Sequence, residues 1–569
     1  MKKKTKKRIK RIIFGIILFV LILFAGASLY TYFYGNGLLK DYIIQSVENS
    51  SKGAYHAKIR QLSISLIAGN VSINGFEMTP DTIRYKQLRE NDSVSPVMIS
   101  LKVGKLKIRG LNLKKLIQDK VLTINRISIE SPELTVVMEP IQKPATAKQK
   151  SKPQLTIPLP KKLVSIEVGS VILSKGKLTL TDMGGEVPAT YHVPGIDVVV
   201  QGIRVNSRSA GDPRILNADD ITVKLYKPEI KTKNGMYSIF LGEIGVSTGQ
   251  SKAWIRELKV TPLFSQFDFT RELGYQTDRL VVQINKIDLD SFDLRQMILA
   301  RKVIIGKVTV DGLNVDDYRD KRVPMRQNFF PKLPQQALLA SKTYLKIDEV
   351  EVRNGKVTYS EQVGSEPGTL FFDKISGTVR NLVNDSLMVR NKTIMTADAT
   401  LYLMGKGKLH AKLSFILGAK NDAFVFSGTL DAMDLKEINP MVTKLAPAEI
   451  AGGRIKKLEI LPVMADDFRA KGSLNFYYNG LDFNISSKKT DGWSTFKGKV
   501  VNFVASVYVS PDNPTENGKF TPGIIYFERD RTKGIFNYLW KSTFSGLKSS
   551  MNVNNKKQKE IKKAKKKNN

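Results

Sequence analysis

The chain has 569 residues, 42% of them hydrophobic and 25% charged, with a formal net charge of +37 and no cysteine. This composition is globular rather than disordered, and it excludes a disulfide framework, a thiolate nucleophile and any Cys-ligated metal. The first eleven residues carry +8 and Lys548 to Asn569 carry another +8, so both ends attract phosphate, whether of nucleic acid or of anionic lipid.

Residues 1–11, with Lys2, Lys3, Lys4, Lys6, Lys7, Arg8, Lys10 and Arg11, precede the uncharged run Ile12 to Tyr34. At ~1.5 Å per residue such a run spans a ~30 Å hydrocarbon core as a helix. Lys and Arg beside a membrane segment stay cytoplasmic, so residues 1–11 are expected in the cytoplasm, 12–34 across a membrane, and the remainder exported. Ala25-Gly26-Ala27 would also suit a signal-peptide cleavage site. The aromatic group Tyr30, Tyr32, Phe33 and Tyr34 favours an uncleaved anchor.

In Gly37 to Lys52, residues Leu38, Leu39, Tyr42, Ile43 and Val47 fall at helical spacing. From about Ala57 to Phe527 the chain alternates apolar and polar residues in short runs bounded by Gly, Pro, Asn or Asp. That pattern predicts a mainly β fold of half-buried antiparallel strands across residues 35–530. Helices are expected at Leu111 to Lys120, at Ser291 to Arg301 with Ser291 as N-cap, and at Asp434 to Leu445 interrupted by Pro440. Pro140 to Lys162, rich in Lys and Pro, reads as a mobile loop, and Val323 to Pro334 as a Pro-bounded connection.

A repeated unit underlies the β region. A ten-residue form appears as ISIESPELTV from Ile127, VILSKGKLTL from Val171 and VEVRNGKVTY from Val350; a shorter form starts at Val71, Leu106 and Val308. Each reads as two strand pieces joined by a tight turn or bulge, and together they point to a sheet extended by similar modules. In Lys533 to Met551, residues Phe536, Trp540, Phe544, Leu547 and Met551 share one helical face, and Asn537, Lys541, Ser545 and Lys548 the other. A basic helix of this kind (531–551), followed by the Lys-rich tail 552–569, suits a membrane interface. Packing of the same face on the last strands is the alternative.

Chemistry-bearing motifs are sparse. His56, His192 and His410 are scattered and form no zinc spacing. There is no nucleophile elbow and no phosphate-binding loop. The doublets Asp219-Asp220, Asp316-Asp317 and Asp466-Asp467 place neighbours on opposite faces of a strand, which suits turn and surface roles better than glycoside hydrolysis. No catalytic residue, metal or cofactor is expected, and the tail lacks the interleaved aromatics of a nucleic-acid site.

Residues Phe424 to Ile485 carry a resemblance. Phe424 to Leu430, Met433 to Pro440, the Gly452-Gly453 turn into Arg454 to Ile460, and Gly472 to Leu481 with Tyr477-Tyr478 resemble the C-terminal part of AsmA-like proteins of double-membrane bacteria. The resemblance implies an inner-membrane helix and an elongated sheet curled into an open hydrophobic groove. It also implies that phospholipids cross the periplasm along that groove, in support of outer-membrane biogenesis, with the outer membrane or an outer-membrane protein met through the C-terminal region. Alternation agrees, because inward residues can hold acyl chains at ~0.8 kcal/mol per buried CH₂. Candidate lining residues are Ile127, Ile129, Leu134, Val136, Val171, Leu173, Leu178, Leu180, Val350, Val352, Val357 and Tyr359; membrane-interface candidates are Phe536, Trp540, Phe544 and Leu547. The same alternation also serves a packed sandwich core, which would make the protein a scaffold for envelope assembly.

Overall fold

A computed structural model describes residues 37, 39–65, 68–90, 94–139, 156–184, 188–209, 212–446, 448–485 and 510–551. The basic segment 1–11, the apolar run 12–34, positions 140–155 of the Lys/Pro-rich stretch and the tail from 552 lie outside them. Among the described residues no helix is long and apolar enough to cross a membrane.

The described chain is mainly β. Its strands are β1 (Tyr55–Ser65), β2 (Asn70–Pro80), β3 (Val97–Arg109), β4 (Val121–Met138), β5 (Ser165–Asp182), β6 (Ala189–Asn206), β7 (Asp220–Tyr226), β8 (Glu229–Lys231), β9 (Tyr237–Ser247), β10 (Lys252–Pro262) and β11 (Asp278–Asp290). They continue as β12 (Lys302–Asp320), β13 (Tyr344–Gln362), β14 (Pro367–Val383), β15 (Ile394–Leu403), β16 (Gly407–Ile416), β17 (Phe424–Leu430), β18 (Met433–Asp434), β19 (Ala448–Ala465), β20 (Arg469–Ile485) and β21 (Gly523–Glu528). The helices are α1 (39–50), α2 (Thr82–Glu90), α3 (Leu113–Gln118), α4 (Gln266–Leu273), α5 (Leu294–Ala300), α6 (Pro334–Leu339), α7 (Ser386–Arg390), α8 (Asn439–Leu445) and α9 (Ile535–Ser550).

The chain divides into two compact units. The first comprises Met1–Ile230, Phe240–Arg256 and Leu294–Ala300; the second comprises Lys231–Ile239, Glu257–Asp293 and Arg301–Asn569. In the first, β1, β2, β3, β4, β5, β6, β7 and β9 pair in that order, with β8 beside β6. In the second, β11 through β17 pair in order and continue through β19 and β20 to β21, with β18 beside β19.

The sheets are mixed, which corrects the antiparallel expectation. The pairs β4/β5 and β12/β13 are parallel. Parallel neighbours need a crossover of a dozen or more residues. The chain supplies one in each place, residues 139–164 and 321–343, which contain the two stretches that interrupt the sequence pattern. Each parallel pair joins two copies of the repeat in register: Ile127 faces Val171 and Leu134 faces Leu178, as Val308 faces Val350 and Val310 faces Val352. The break inside each long repeat is a kink within a continuous strand, not a turn between two. In β5 and β13 it is a bulge against the following strand, at Gly176 and Gly355, each preceded by a left-handed residue, Lys175 or Asn354.

Helix ends follow capping chemistry. The side chain of Asn112 accepts from Lys115 N before α3, and Ser265 caps α4, which stops at left-handed Gly274. Asp81 Oδ1 accepts from Ile83 N and Arg84 N to start α2. One expectation is corrected: Ser291 sits in the left-handed region (φ 55) three residues before α5 and is not its N-cap. The stretch 434–445 is helical and divided near Pro440, as a 3₁₀ turn at Leu435–Ile438 runs into α8 with Pro440 in its first turn, where a proline has no N–H to lose.

Of Pro140 to Lys162, the described end is docked, not loose. Ile157 and Leu159 pack on the first unit's core, and Ile157 N donates to Asn217 Oδ1 at 2.9 Å.

Candidate functional site

Alternation sends every second side chain to one face of each sheet, and the registers align these into apolar rows running across strands. In the first unit one row passes through Ile64, Val71, Ile108, Ile127, Val171, Val200 and Ile221. Beside it Ile73, Leu106, Ile129, Leu173, Val198 and Val223 form a second. A third holds Met78, Leu101, Leu134, Leu178 and Val193, and a fourth Ile99, Val136, Leu180 and Tyr191. The eight sequence-nominated residues of this unit therefore lie together, in matched pairs on two neighbouring strands. Ile127 and Val136 are buried and the other six half-buried.

In the second unit Leu289, Val308, Val350, Val379, Ala397, Leu413, Phe426 and Val463 are successive partners across eight strands. Ile287, Val310, Val352, Gly377, Ala399 and Ala411 run alongside, then Val282, Val315, Val357, Phe372 and Leu403. Val350, Val352, Val357 and Tyr359 are all half-buried. The opposite faces carry charge pairs: Lys177 with Glu133 at 2.8 Å in the first unit, and Lys307 with Glu349 and Glu351 at 2.9 and 2.8 Å in the second. Such exposed pairs add little stability but keep that face wet.

Cover over the apolar rows is uneven. In the first unit Leu39 and Ile43 of α1, Leu116 of α3, and Ile157 and Leu163 join the cluster around Ile127 and Val200. In the second unit the last strands are sealed: Leu474 is 0% exposed and Phe424 1%, in one cluster with Leu435, Val442 and Tyr538.

Helix α9 does not pack by the face of Phe536 and Trp540, the alternative to a membrane interface. Tyr538, Ser542, Ser545 and Gly546 are buried, so Ser545 belongs to the packed side, where its Oγ donates to the carbonyl of Ser542 at 2.7 Å. Small residues there bring the helix backbone close to β21. The aromatic stripe faces outward, with Phe536 60% and Trp540 49% exposed. Phe544 stacks on Trp540 at 5.6 Å, with the ammoniums of Lys548 and Lys541 5.3 and 5.9 Å from its ring. Leu547 packs against the core. Phe536 also meets Phe372 of the apolar face edge-on at 6.3 Å.

Within the resembling segment, Gly452-Gly453 is a bulge inside β19, not a turn. Tyr478 is buried, whereas Tyr477 stacks on Phe520 at 4.7 Å.

The histidines are exposed partners of acids or hydroxyls: His56 with Glu48 at 3.1 Å, His410 with Asp398 at 2.8 Å, and His192 with Thr179 at 3.2 Å. Hydrogen bonding to Glu48, then to Asp81, raises the His56 pKa. Asp220 accepts from Gly249 N and Ser247 Oγ, and Asp466 from the Phe468 and Arg469 amides, as turn residues do. Asp467 is instead buried, paired with Arg529. Among the described residues no group of three or more His, Cys, Asp or Glu is placed to hold a metal.

One polar cluster lies on the second unit's apolar face, where sequence reasoning did not place one. Asp317 stands between Leu280 and Tyr359, two residues beyond Val315. Arg319 pairs with Asp278 at 2.6 Å, Lys321 with Glu361 at 2.6 Å, and Tyr359 donates to Glu361 at 2.7 Å. Burial, helped by nearby Asp278 and opposed by Arg319, pushes the Asp317 carboxyl up to about 7. The unfolded carboxyl titrates near its ordinary value, so its contribution to stability is complete below about pH 4 and is lost as pH rises to about 7. Asp317→Asn should therefore gain thermal stability over the wild type at pH 8 and gain little at pH 4.5. Equal differences at both pH values would contradict this assignment.

No protein-family model matches the chain, and no curated protein matches it.

Proposed function

We propose that this is a membrane-anchored periplasmic protein that binds phospholipids and conducts them between the inner and outer membranes, without catalysis. The observation that carries the reading is the set of apolar rows, in register over eight strands in the second unit. The residues at their centre are half-buried, not sealed. Acyl chains can lie along such rows while headgroups stay wet, and equivalent apolar positions repeat at the ~4.8 Å strand spacing, so sliding costs little. The anchor at 12–34, the outward Phe536–Trp540–Phe544 stripe and the basic tail supply the membrane contacts of this reading. The resemblance to AsmA-like proteins supports the same assignment and adds an outer-membrane partner.

The sealed strands β17 to β21 favour a second reading for that part of the chain, a packed scaffold for envelope partners. Photocrosslinking separates the two. A photoreactive residue at Leu173 or Val352 should capture phospholipid in intact cells, and one at Lys177 or Thr358 on the opposite face should not. Equal capture from both faces, or none from either, would leave the scaffold.

A further inference from the structure

The crossover 321–343 of the second unit turns apolar side chains outward. Residues 324–330, PMRQNFF, are all exposed, Phe330 to 59%, although both ends of the stretch are fixed. At one end Gln276 N donates to the carbonyl of Pro324 at 2.8 Å and Gln276 Nε2 to that of Val323 at 2.9 Å. At the other, Arg529 Nη2 donates to the carbonyl of Pro331 at 2.7 Å, and Leu333 is buried. The phenylalanines are therefore displayed on a held segment, which loses little freedom when it meets a partner. Guanidiniums cover the rings beside them. Arg326 lies 4.9 Å from the Tyr275 ring and 4.6 Å from that of Phe329. Phe267 of α4, also exposed, takes Arg271 at 5.1 Å and Arg322 at 5.5 Å. The bridge between Gln276 and Met325 joins these two stacks. Arg322 pairs with Asp320, whereas among the described residues Arg271 and Arg326 have no carboxylate partner. Residues 321–333 hold Lys321, Arg322, Arg326 and Lys332 and no acid. The acids of α4 are Asp268, which accepts from Ser265 Oγ at 2.7 Å, and Glu272. Lys533 Nζ donates to Met325 Sδ at 3.2 Å, which ties the patch to the residue before the N-cap of α9.

We infer that residues 324–330, with Phe267, form a further membrane contact, which seats its phenylalanines in the interface of an anionic bilayer and its guanidiniums on the headgroup phosphates. Exposed aromatic side chains among cations, on a stretch without acids, match such a surface in both polarity and charge. A guanidinium laid on a ring keeps its N–H edge free for charge-assisted bonds to phosphate. An acidic protein would match the charge as well, but it would need a shaped pocket for two adjacent phenylalanines, whereas acyl chains accept them in any orientation. The contact is independent of lipid conduction and holds whether or not lipid moves along the sheet.

The chain has no cysteine, so Gln327→Cys in the full chain carries a single nitrobenzoxadiazole label. Held through residues 12–34 in a phosphatidylcholine nanodisc, the labelled protein is titrated with vesicles of equal parts phosphatidylglycerol and phosphatidylcholine, and with vesicles of phosphatidylcholine alone. On the anionic vesicles the label should shift to the blue and become quenchable by brominated acyl chains; on the neutral ones it should respond far more weakly. The same label at Lys177→Cys should respond to neither. Phe329→Ser/Phe330→Ser should raise the lipid concentration needed roughly tenfold or more, and Arg326→Gln about fivefold, with melting curves confirming that each variant is folded. A label at position 327 that stays in water on both vesicles overturns the membrane contact; capture of protein instead of lipid by a photoreactive residue at Phe330 in intact cells would then assign the patch to a protein partner. Equal response to the two vesicles overturns the role of the guanidiniums. Leu173→Asp, which removes conduit lipid, should leave the response at 327 unchanged, so failure of the contact and failure of the conduit are seen separately.

Discussion

Gly546→Val should release the C-terminal helix from its sheet. A Cβ built on Gly546 would lie 2.6 Å from Leu474 Cδ2 and 2.7 Å from Ile525 Cγ1, inside a core where Leu474 is 0% and Ile525 1% exposed. From the other side, a Cβ on Gly523 would lie 2.5 Å from Leu474 Cδ1 and press on the carbonyl of Gly546. Neither side has room to relax, because Leu474 serves both glycines. Overpacking of a tight core costs about 1–3 kcal/mol, and undocking α9 would also forfeit the burial of Tyr538. The expected outcome is rapid proteolysis between positions 529 and 551 and a lower unfolding midpoint for the second unit. Trp540→Ser, on the exposed stripe, should leave both near wild type. A Gly546→Val protein as protease-resistant as the wild type would show that the helix does not pack through this contact.

Loss of the buried Arg529–Asp467 pair should be costlier still. The Arg529 side chain is 2% exposed and that of Asp467 9%. A second guanidinium nitrogen of Arg529 donates to the carbonyl of Pro331 at 2.7 Å, and Asp467 Oδ1 accepts from Gln336 Nε2 at 3.0 Å. The pair thus fastens the crossover 321–343 to the end of β19 and the start of β20. Asp467 also pairs with the more exposed Arg531 at 3.1 Å, so removing Arg529 leaves the buried carboxylate partly compensated, at a cost toward the lower end of the about 3–5 kcal/mol typical of a broken buried pair. Arg529→Met should lower stability by that order in chemical denaturation. The double variant Arg529→Met/Asp467→Leu should recover much of the loss, since it removes both charges. A single variant within ~1 kcal/mol of wild type would contradict the pairing.

The strand content and the apolar face could be read from the sequence because a half-buried strand must alternate, and Ile127, Leu134, Val171 and Leu178 do so wherever they pair. Parallel pairing could not be read, since alternation is the same whichever way the neighbour runs. The signal lay instead in the length of the two interruptions, each long enough for a crossover. Which face of α9 packs was also hidden. Helical periodicity ranks faces by hydrophobicity, and here close backbone approach selects the face of Ser542, Ser545 and Gly546. Helices α2 and α4 were missed although Asp81 and Ser265 are ordinary N-cap residues, because both helices are short and flanked by strong strand patterns. Asp317 was read with Asp316 as a surface doublet. Only the register shows which of the two joins the apolar face.

The most direct test of the conduit is the lipid carried by the protein itself. Full-length protein purified from membranes would be analysed by native mass spectrometry and lipid extraction, beside Leu173→Asp and Val352→Asp, each of which places a charge in the middle of an apolar row. The account predicts bound phospholipid on the wild type and its loss by most of the signal in both variants, with melting temperatures showing that they remain folded. A folded wild type that carries no phospholipid and takes up none from liposomes would contradict it.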